Sequence, residues 1–399
     1  MNDSQSSEKS RNRRIVKRPD ADVLVVGAGP AGTVAATLLA RHGARVRPLD
    51  RAVFPRDKLC GDTVNPGTLA VLRRLRLAGA VDTCGLPIHG MRLSGSNGVV
   101  VDGRYPDGLL GRALLRRHLD WMLLQDAVAA GVQFDPSVSV RRAIVEDHVV
   151  AGVVLDGGRE LRASVTIAAD GRRSALAFGL GLAAHPPAPR RWAIGAYFDV
   201  PADTATRTLG EMHVRGGHYI GVAPVPGGLT NVCLVKSWRA GDAAVADPRA
   251  AIVDALARDP LLADRFAGAT MTTAPVVLGP LAVDAEKRSI DGLLLAGDAA
   301  GFIDPMTGDG LRFAIRGAEL TAAAALDSLA NGWDAVHARL AQARRAEFAG
   351  KWRFNRTVRS LVASKSAVAI AAAGARFAPA VLRRVMIYSG DCDVARSTC

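Results

Sequence analysis

The stretch ADVLVVGAGPAG, residues 21–32, decides the fold of this 399-residue chain. Its first six residues form a Val-rich apolar run, which is typical of a strand buried in a parallel sheet. Three glycines follow and lead into a small-residue segment with helical character, Thr33–His42. A second apolar run, Ala44–Leu49, ends at Asp50. This succession of strand, glycine turn, helix and strand predicts a βαβ unit of an α/β fold.

The glycines of this turn have the spacing of a dinucleotide-binding loop. The first permits the tight turn, the second lets the backbone approach a pyrophosphate, and the third lets helix and strand pack closely. Asp50 stands 23 residues after Gly27, where a carboxylate can accept hydrogen bonds from a ribose. The predicted cofactor contacts of this unit are Gly27, Gly29, Ala31, Gly32, Asp50 and Arg51.

A second signal, GLLLAGDAA at 292–300, indicates which dinucleotide binds. It is similar to the motif with which FAD enzymes hold the ribityl chain and pyrophosphate, and the segment DPMTGDGL at 304–311 would place a helix start at the isoalloxazine ring. A third element, Asp170-Gly171, lies between them in the chain. Together these motifs resemble the FAD-dependent superfamily of para-hydroxybenzoate hydroxylase-like enzymes and geranylgeranyl reductases. The resemblance implies further FAD contacts at Arg116, Val140, Asp298, Pro305, Gly308, Gly310 and Leu311.

The order of motifs and strand-like runs predicts a Rossmann-type FAD-binding domain interrupted by an antiparallel substrate sheet, with a helical C-terminal region. The predicted FAD-binding segments are 20–85, 111–178 and 285–335, the substrate-domain segments are 86–110 and 179–284, and the flanks are a basic disordered tail at 1–19 and a basic helical region at 336–399. Because no second glycine fingerprint is present, NAD(P)H is expected to bind transiently as the electron donor, unless another protein supplies the electrons. Ala177 stands near the place where the hydroxylases have an arginine, so their NAD(P)H-binding mode does not transfer directly.

The net charge of +13 is concentrated at two places. The first twenty residues carry six Lys/Arg against three acids, and residues 339–384 carry eleven against one. This excess is typical of a solvated helical surface, or else of a face that docks on an anionic membrane, a carrier protein or an anionic substrate. No nucleic-acid partner is expected, because no recognised binding motif accompanies the charge. The oligomeric state is not predicted.

Composition and cysteine spacing exclude other classes of protein. The chain is 49% hydrophobic and 22% charged, as in an ordinary soluble enzyme. Its five cysteines form no C-x-x-C pair, so reduced thiols and a cytoplasmic location are expected, without a metal site. The longest charge-free run of the apolar C-terminal part, between Lys365 and Arg376, is ten residues and falls short of the roughly twenty that span a bilayer.

The segment FPRDKLCGD at 54–62 is similar to the F-P-R-x-K-x-C-G segment of the geranylgeranyl reductases, which lies beside the flavin. That resemblance favours hydride delivery to an isoprenoid or enone double bond. It makes Cys60 and Lys58 candidate catalytic residues, together with Tyr219 from the substrate domain. A loop cysteine without a catalytic role is an equal alternative, because thiolate chemistry needs a nearby cation or base.

The segment YIGVAP at 219–224 departs from the reductases' Y-x-W-x-F-P pattern. Gly221 and Ala223 replace two aromatic residues, which removes about 200 Å² or more of apolar wall. The predicted pocket, with Tyr219 beside these two residues, is therefore wide. This favours a monooxygenase of a bulky lipophilic aromatic, quinone- or quinolone-type secondary metabolite, with C=C reduction as the alternative. A non-enzymatic flavin-binding protein is a third hypothesis, and a halogenase is disfavoured because no W-x-W-x-I-P segment is present.

Overall fold

Two large sheets, two small sheets of short strands and the helices that pack on both large sheets make up the fold. A computed structural model describes residues 19–95, 98–187, 191–201, 208–237, 246–286, 288–363, 366, 370, 374 and 377–397. Except for Pro19, the predicted basic tail at 1–19 lies outside the described residues. Every residue but Ile370 of the apolar stretch Ala367–Ala373 also lies outside them.

The first sheet carries the dinucleotide motifs. Its strands are β1 Ala21–Val26, β2 Val46–Leu49, β8 Val140–Glu146, β9 Val149–Leu155, β10 Glu160–Ala168 and β19 Leu293–Leu295. The order is β2-β1-β10-β9-β8, and β19 also pairs with β10. Strand β1 is parallel to β2 and β10, and β10 is parallel to β19, whereas β8 and β9 are antiparallel additions. The predicted α/β fold is confirmed, and the glycine turn and Asp298 follow β1 and β19, the two parallel strands that flank β10.

The second sheet is mostly antiparallel and larger. Its strands are β5 Gly90–Ser94, β6 Val100–Arg104, β12 Arg191–Asp199, β13 Leu209–Arg215, β14 His218–Pro224, β15 Leu229–Ser237, β16 Thr270–Met271 and β17 Val276–Leu278. The order is β16-β12-β15-β14-β13-β5-β6, with β17 also on β12. Short strands complete the set: β3 Thr63–Val64, β4 Leu86–Ile88, β7 Gly111–Ala113, β11 Ala183–Ala184 and β18 Asp284–Ala285.

The helices pack on both large sheets and continue to the C-terminal part of the chain. They are α1 Pro30–Arg41, α2 Pro66–Arg74, α3 Gly79–Cys84, α4 Arg116–Ala129, α5 Ala175–Gly179, α6 Pro248–Arg258, α7 Ala263–Phe266, α8 Gly310–Asn331, α9 Val336–Ala363, α10 Pro379–Ser389 and α11 Cys392–Ser397. Helix α1 packs against both α4 and α8, and the largest apolar core lies among them. No helix of the described residues is long and apolar enough to cross a membrane.

The glycine turn brings helix α1 close to the ends of the strands. A Cβ at Gly32 would lie 1.8 Å from the Gly27 carbonyl oxygen, and a Cβ at Gly27 would lie 2.4 Å from that of Ala169. Gly27 also has a φ of +100°, which L side chains rarely adopt. At Gly29 the nearest atom is Nη2 of Arg56 at 3.5 Å, so this backbone faces open space. Gly27 and Gly32 therefore permit close packing of the backbone, while Gly29 leaves room for a ligand.

Candidate active site

One cavity of about 640 Å³ lies between the two sheets. It is lined by most of the residues that the sequence singled out: Gly27, Gly29, Ala31, Asp50, Arg51, Lys58, Cys60, Arg116, Gly221, Ala223, Asp298, Pro305, Gly308, Gly310 and Leu311. The structure does not bring Gly32, Val140 or Tyr219 to the lining. Gly32 is packed inside the turn, Val140 begins strand β8, and Tyr219 is buried beneath the cavity wall.

The first carboxylate of the cavity, Asp50, is held by the backbone around it. Its Oδ2 accepts a hydrogen bond of 2.8 Å from the Ala28 amide, and its Oδ1 accepts one of 2.9 Å from the Ala52 amide. Because the glycine turn after β1 fixes one oxygen and the loop after β2 fixes the other, the carboxylate is pre-oriented in the cavity that it lines. A ribose hydroxyl can donate to its remaining lone pairs.

Arg116 lies at the start of helix α4 and is buried. Its Nε and Nη2 donate to the two oxygens of Asp120 at 2.7 and 2.9 Å, and the guanidinium also lies close to the side chain of Cys60. Burial lowers the pKa of Arg116, but Asp120 and Cys60 raise it more. The sequence could not show this contact, because Cys60 and Arg116 are far apart in the chain. The cation that thiolate chemistry needs is therefore present beside Cys60.

Asp298 is the second carboxylate of the cavity. Burial raises its pKa, while the cations of Lys58, Arg116 and Arg172 lower it less. No hydrogen bond joins the Asp298 carboxylate to any of the described side chains. Burial also lowers the pKa of Lys58, which lines the same space. The carboxylate and the cations therefore surround a gap that a ligand with hydroxyl and phosphate groups would fill.

Two buried polar atoms near this gap support that assignment. Nη1 of Arg56 and Oδ1 of Asp170 are buried, and neither has a hydrogen-bond partner among the described residues. Both residues line the cavity. Since buried polar atoms are normally satisfied, these two are consistent with contacts to a bound group. The residues present therefore fit FAD. The amides at the start of α1 would hold the pyrophosphate, Asp50 the adenosine ribose, Asp298 the ribityl chain and residues 305–311 the ring system.

The segment expected at the flavin ring is anchored through Asp304, which is buried. Its Oδ1 accepts hydrogen bonds from the Tyr219 hydroxyl at 2.5 Å and from the Met306 amide at 3.1 Å. Its Oδ2 accepts a hydrogen bond of 3.2 Å from Nη1 of Arg191. Tyr219 thus holds the flavin-facing segment from beneath, which its position in the sequence motif did not reveal.

The second sheet forms the floor of the cavity. On one of its faces, Gly221 lies opposite Cys233 and Ala223 lies opposite Asn231, and all four line the cavity. A Cβ at Gly221 would meet only the Cys233 carbonyl oxygen and Cε of Met212, each at 3.9 Å. The floor is therefore open above Gly221.

The C-terminal helices form the opposite wall, which sequence reasoning missed. Phe354 and Val358 of α9 line the cavity, as do Val385 and Met386 of α10. Helix α10 packs on β6 through Met386, where a Cβ at Gly103 would lie 2.5 Å from the Met386 Cε. The only signal in the sequence was the apolar spacing of this otherwise basic region. Within the described ranges, no group of three or more His, Cys, Asp or Glu side chains could hold a metal ion.

The fold and the cavity define a flavoprotein of the dinucleotide-binding α/β class. The chain belongs to the FAD binding domain family, whose model matches residues 20–351. It is 31% identical to a menaquinone reductase of Mycolicibacterium smegmatis over 76% of this chain and 75% of that protein. It is also 30% identical to digeranylgeranylglycerophospholipid reductase 2 of Methanopyrus kandleri over 73% of each chain. The predicted superfamily is confirmed, and the protein is an FAD-dependent oxidoreductase.

Solved structures share this fold. A myxobacterial chondrochloren halogenase superposes with a TM-score of 0.77 at 25% identity, covering 84% of this chain and 81% of that one. A geranylgeranyl bacteriochlorophyll reductase-like protein from Thermoplasma acidophilum gives a TM-score of 0.74 at 22% identity, covering 87% and 89%. The fold is therefore common to reductase-like proteins and to flavin enzymes of other chemistry. The fold alone does not identify the reaction, so the residues of the cavity must be used to identify it.

Proposed function

We propose that this protein is an FAD-dependent reductase of a C=C bond in a lipophilic isoprenoid-bearing substrate such as a prenylated quinone, with NAD(P)H as the electron donor. The observation that carries the proposal is the position of Cys60. Its side chain lies in the cavity between the flavin-binding segments and the sheet floor, in contact with Arg116. The names of the two relatives describe reduction of a menaquinone and of a geranylgeranyl lipid, both of which carry isoprenoid chains.

The chamber next to Cys60 suits an apolar chain. The floor contributes Met91, Leu93 and Met212, and the C-terminal helices contribute Phe354 and Val385. Ligand pockets typically combine such a mostly apolar lining with a few placed polar groups. Cys60 and Asn231 bring polar groups to the same cavity.

FAD, when bound, supplies the electron pair for reduction. Saturating a C=C bond adds a hydride to one carbon and a proton to the other. The cationic side chains and the N-terminus of α8 provide positive potential near the ring-binding segment. Sγ of Cys60 is the group proposed to hold a proton beside the substrate, and the Arg116 guanidinium lies next to it. Gly221 and Ala223 leave the floor low enough for a ring or a thick chain to lie flat.

Monooxygenation of a bulky lipophilic aromatic is the second candidate. The open floor at Gly221 and Ala223 favours it, because these residues remove the aromatic walls of the reductase pattern. In this case the same walls orient an aromatic ring and keep the reacting oxygen away from water. Cys60 would then have no part in the reaction.

The mass of the product distinguishes reduction of the C=C bond from monooxygenation. Reduced enzyme is mixed anaerobically with a menaquinone that has a short isoprenoid chain, and the product is then exposed to air. Ring reduction gives a quinol that returns to the quinone in air, whereas chain reduction leaves two added hydrogens. Retention of two hydrogens supports the reductase. A product that gains one oxygen atom from labelled O₂, and no retained hydrogens, would establish the monooxygenase instead.

A further inference from the structure

Two adjacent strands of the second sheet present a small docking patch next to the cavity. In the register of β12 and β15, Gly195 lies opposite Cys233 and Tyr197 lies opposite Asn231. Since residues two apart on a strand share a face, these four positions lie together on the floor side. Neither Gly195 nor Tyr197 lines the cavity itself, so the patch extends beyond the substrate chamber.

Residues 59–62 of the FAD-binding segment dock on this patch. The Leu59 side chain fills the space above Gly195, where a Cβ would lie 2.0 Å from Cδ1 of Leu59. Nδ2 of Asn231 donates a hydrogen bond of 2.7 Å to the Cys60 carbonyl oxygen. The same nitrogen and the Tyr197 hydroxyl each donate to Oδ2 of Asp62 at 2.5 Å.

Asp62 links this patch to the helix that carries Arg116. Its Oδ1 accepts a hydrogen bond of 3.1 Å from the Arg116 amide, and its carbonyl oxygen accepts one of 2.9 Å from the Leu114 amide. Asp62 is 1% exposed and has a φ of +53°, a conformation that residues other than glycine seldom adopt. Burial raises the pKa of Asp62, the hydrogen bonds from Tyr197 and Asn231 and the charge of Arg116 lower it less, and the resulting pKa is about 6.

We propose that Asp62, Tyr197 and Asn231 form a clamp that sets the position of Cys60 and Arg116 relative to the substrate floor, so that they act as positioning residues for the reaction. The Cys60 backbone is held from the sheet through Asn231, and the Arg116 backbone is held from the same sheet through Asp62. The backbones of Cys60 and Arg116 are therefore both held in position by the second sheet. The assignment of a reaction to Cys60 rests on the proposed function, but the clamp itself does not.

The clamp is tested by the accessibility of the Cys60 thiol in the FAD-loaded protein. Iodoacetamide labelling is followed by site-resolved mass spectrometry, with the exposed Cys84 as the internal reference. Tyr197→Phe removes one of the two short hydrogen bonds to Oδ2, and Asn231→Ala removes the other together with the bond to the Cys60 carbonyl. Each variant should raise the Cys60-to-Cys84 labelling ratio by at least about threefold, because local opening becomes more frequent.

The matched control is Ser94→Ala. Ser94 is fully buried in the same sheet, but it hydrogen-bonds His213 at 2.8 Å and touches neither Cys60 nor Asp62. The control should keep the wild-type ratio even if it lowers the melting temperature. An unchanged ratio in both clamp variants, with melting temperatures no lower than that of the control, would overturn the proposal.

Turnover gives an independent readout. If the quinone is reduced as proposed, Tyr197→Phe should lower kcat about tenfold while KM changes less than about twofold, since the floor residues are unchanged and only Cys60 and Arg116 shift. A raised labelling ratio with no reduction by wild-type enzyme would reject the proposed function and retain the clamp. A labelling ratio and a kcat that are both unchanged from wild type in the variants would reject the clamp proposal and would leave the proposed reductase function unaffected.

Discussion

The carboxylates of Asp50 and Asp298 differ in their hydrogen-bond partners. Two backbone amides already bond to Asp50, whereas the Asp298 carboxylate has no hydrogen bond to a described residue and faces three cations. Burial without a partner raises the pKa of Asp298 and costs free energy unless a ligand compensates for it. Asp298 should therefore contribute more to FAD retention than its place in a common motif indicates.

Asp298→Ala should weaken FAD binding by about 10- to 100-fold, the equivalent of a charge-assisted hydrogen bond of about 1.5–3 kcal/mol. The purified wild-type protein should be yellow and release FAD on denaturation, and the variant should lose its colour on dialysis. Titration of the apoprotein with FAD measures the effect. Asp254→Ala, which removes an exposed carboxylate of α6, is the control. Equal affinity of Asp298→Ala and wild type would contradict the assignment of Asp298 to the cofactor.

Gly221→Trp should abolish turnover of a bulky substrate and leave FAD binding unchanged. The Cβ itself fits, since its nearest neighbours are at 3.9 Å, but the indole must then enter the chamber above the floor. Gly221→Ala is the control, because one methyl group occupies little of that space, and it should keep activity within about twofold. Full activity of Gly221→Trp would show that the substrate does not lie on this part of the floor.

At the residue scale, sequence motifs predicted the lining of the cavity well and its internal contacts poorly. The glycine turn and Asp298 could be placed because a fixed spacing carries their chemistry. The contacts of Cys60 with Arg116 and of Tyr219 with Asp304 join residues far apart in the chain, and no local pattern encodes such pairs. The sequence motif therefore predicted Tyr219 in the substrate pocket, whereas its hydroxyl donates a hydrogen bond to Asp304 of the flavin-facing segment.

At the scale of elements, the C-terminal helices are tied to the start of α8 by a buried ion cluster. Nζ of Lys351 lies 3.1 Å from Oδ1 of Asp309 and 3.0 Å from Oδ1 of Asp391, and it also donates to the Tyr388 carbonyl oxygen. Asp309 directly precedes Gly310, the first residue of α8. This cluster fixes the C-terminal wall against the flavin-facing segment.

The same cluster gives a pH-dependent contribution to stability. Burial and the nearby Asp391 raise the pKa of Asp309, Lys351 lowers it less, and the resulting pKa is about 6. An acid whose pKa is raised on folding stabilises the native state below its unfolded pKa, and that stability is lost as the pH rises to the folded pKa. The free energy of unfolding of wild type minus that of Asp309→Asn should therefore fall between pH about 4 and about 6.5, by at most about 3 kcal/mol.

Urea denaturation at a series of pH values measures this difference. Asp327→Asn is a suitable reference, because Asn331 and Arg339 lower the pKa of this half-buried carboxylate and its effect should have the opposite sign. A difference curve for Asp309→Asn that is flat, or that rises with pH, would contradict the raised pKa.

Elements of the first sheet were predictable because their signals are local. The predicted run Ala21–Val26 is β1, and the predicted strand Gly292–Leu295 is β19, within one residue. The packing of α10 on β6 was not predictable, since nothing in residues 379–389 identifies the distant glycine that receives Met386. The C-terminal region was expected to be basic and helical, but its part in closing the cavity depends on that tertiary contact.

At the scale of the whole molecule, some cations of the basic segment 339–384 bond to other parts of the fold, whereas others are exposed. Arg339, Arg344 and Lys351 bond to Asp327, the Leu295 carbonyl oxygen and Asp309, respectively. Arg383 and Arg384 are exposed on α10, in the same part of the chain as the exposed side chains of Phe377 and Val381. We propose that this outer face of α10 rests on an anionic membrane, from which a lipophilic substrate reaches the cavity on the other side of the helix.

Exchanging the charge on this face should weaken the attachment. Arg383→Glu with Arg384→Glu should lower binding to anionic vesicles about tenfold or more, and binding of wild type should fall with salt, because exposed charges are screened over about 8–10 Å at 0.1–0.15 M. Co-sedimentation with anionic and neutral vesicles measures both effects. Arg249→Glu with Arg258→Glu, at two exposed positions of α6, is the control. Equal binding of wild type to neutral and anionic vesicles, or none to either, would reject the proposal.

The central claim is that one cavity brings the FAD-binding segments and a lipophilic substrate together for direct reduction. The most direct test is anaerobic stopped-flow absorbance of the reduced enzyme mixed with a short-chain menaquinone in detergent. The account predicts that the oxidised-flavin absorbance returns without oxygen, at a rate that saturates with quinone, and that Gly221→Trp abolishes this return. If the absorbance returns only when O₂ is admitted, with or without the quinone, direct reduction of the substrate in this cavity is contradicted.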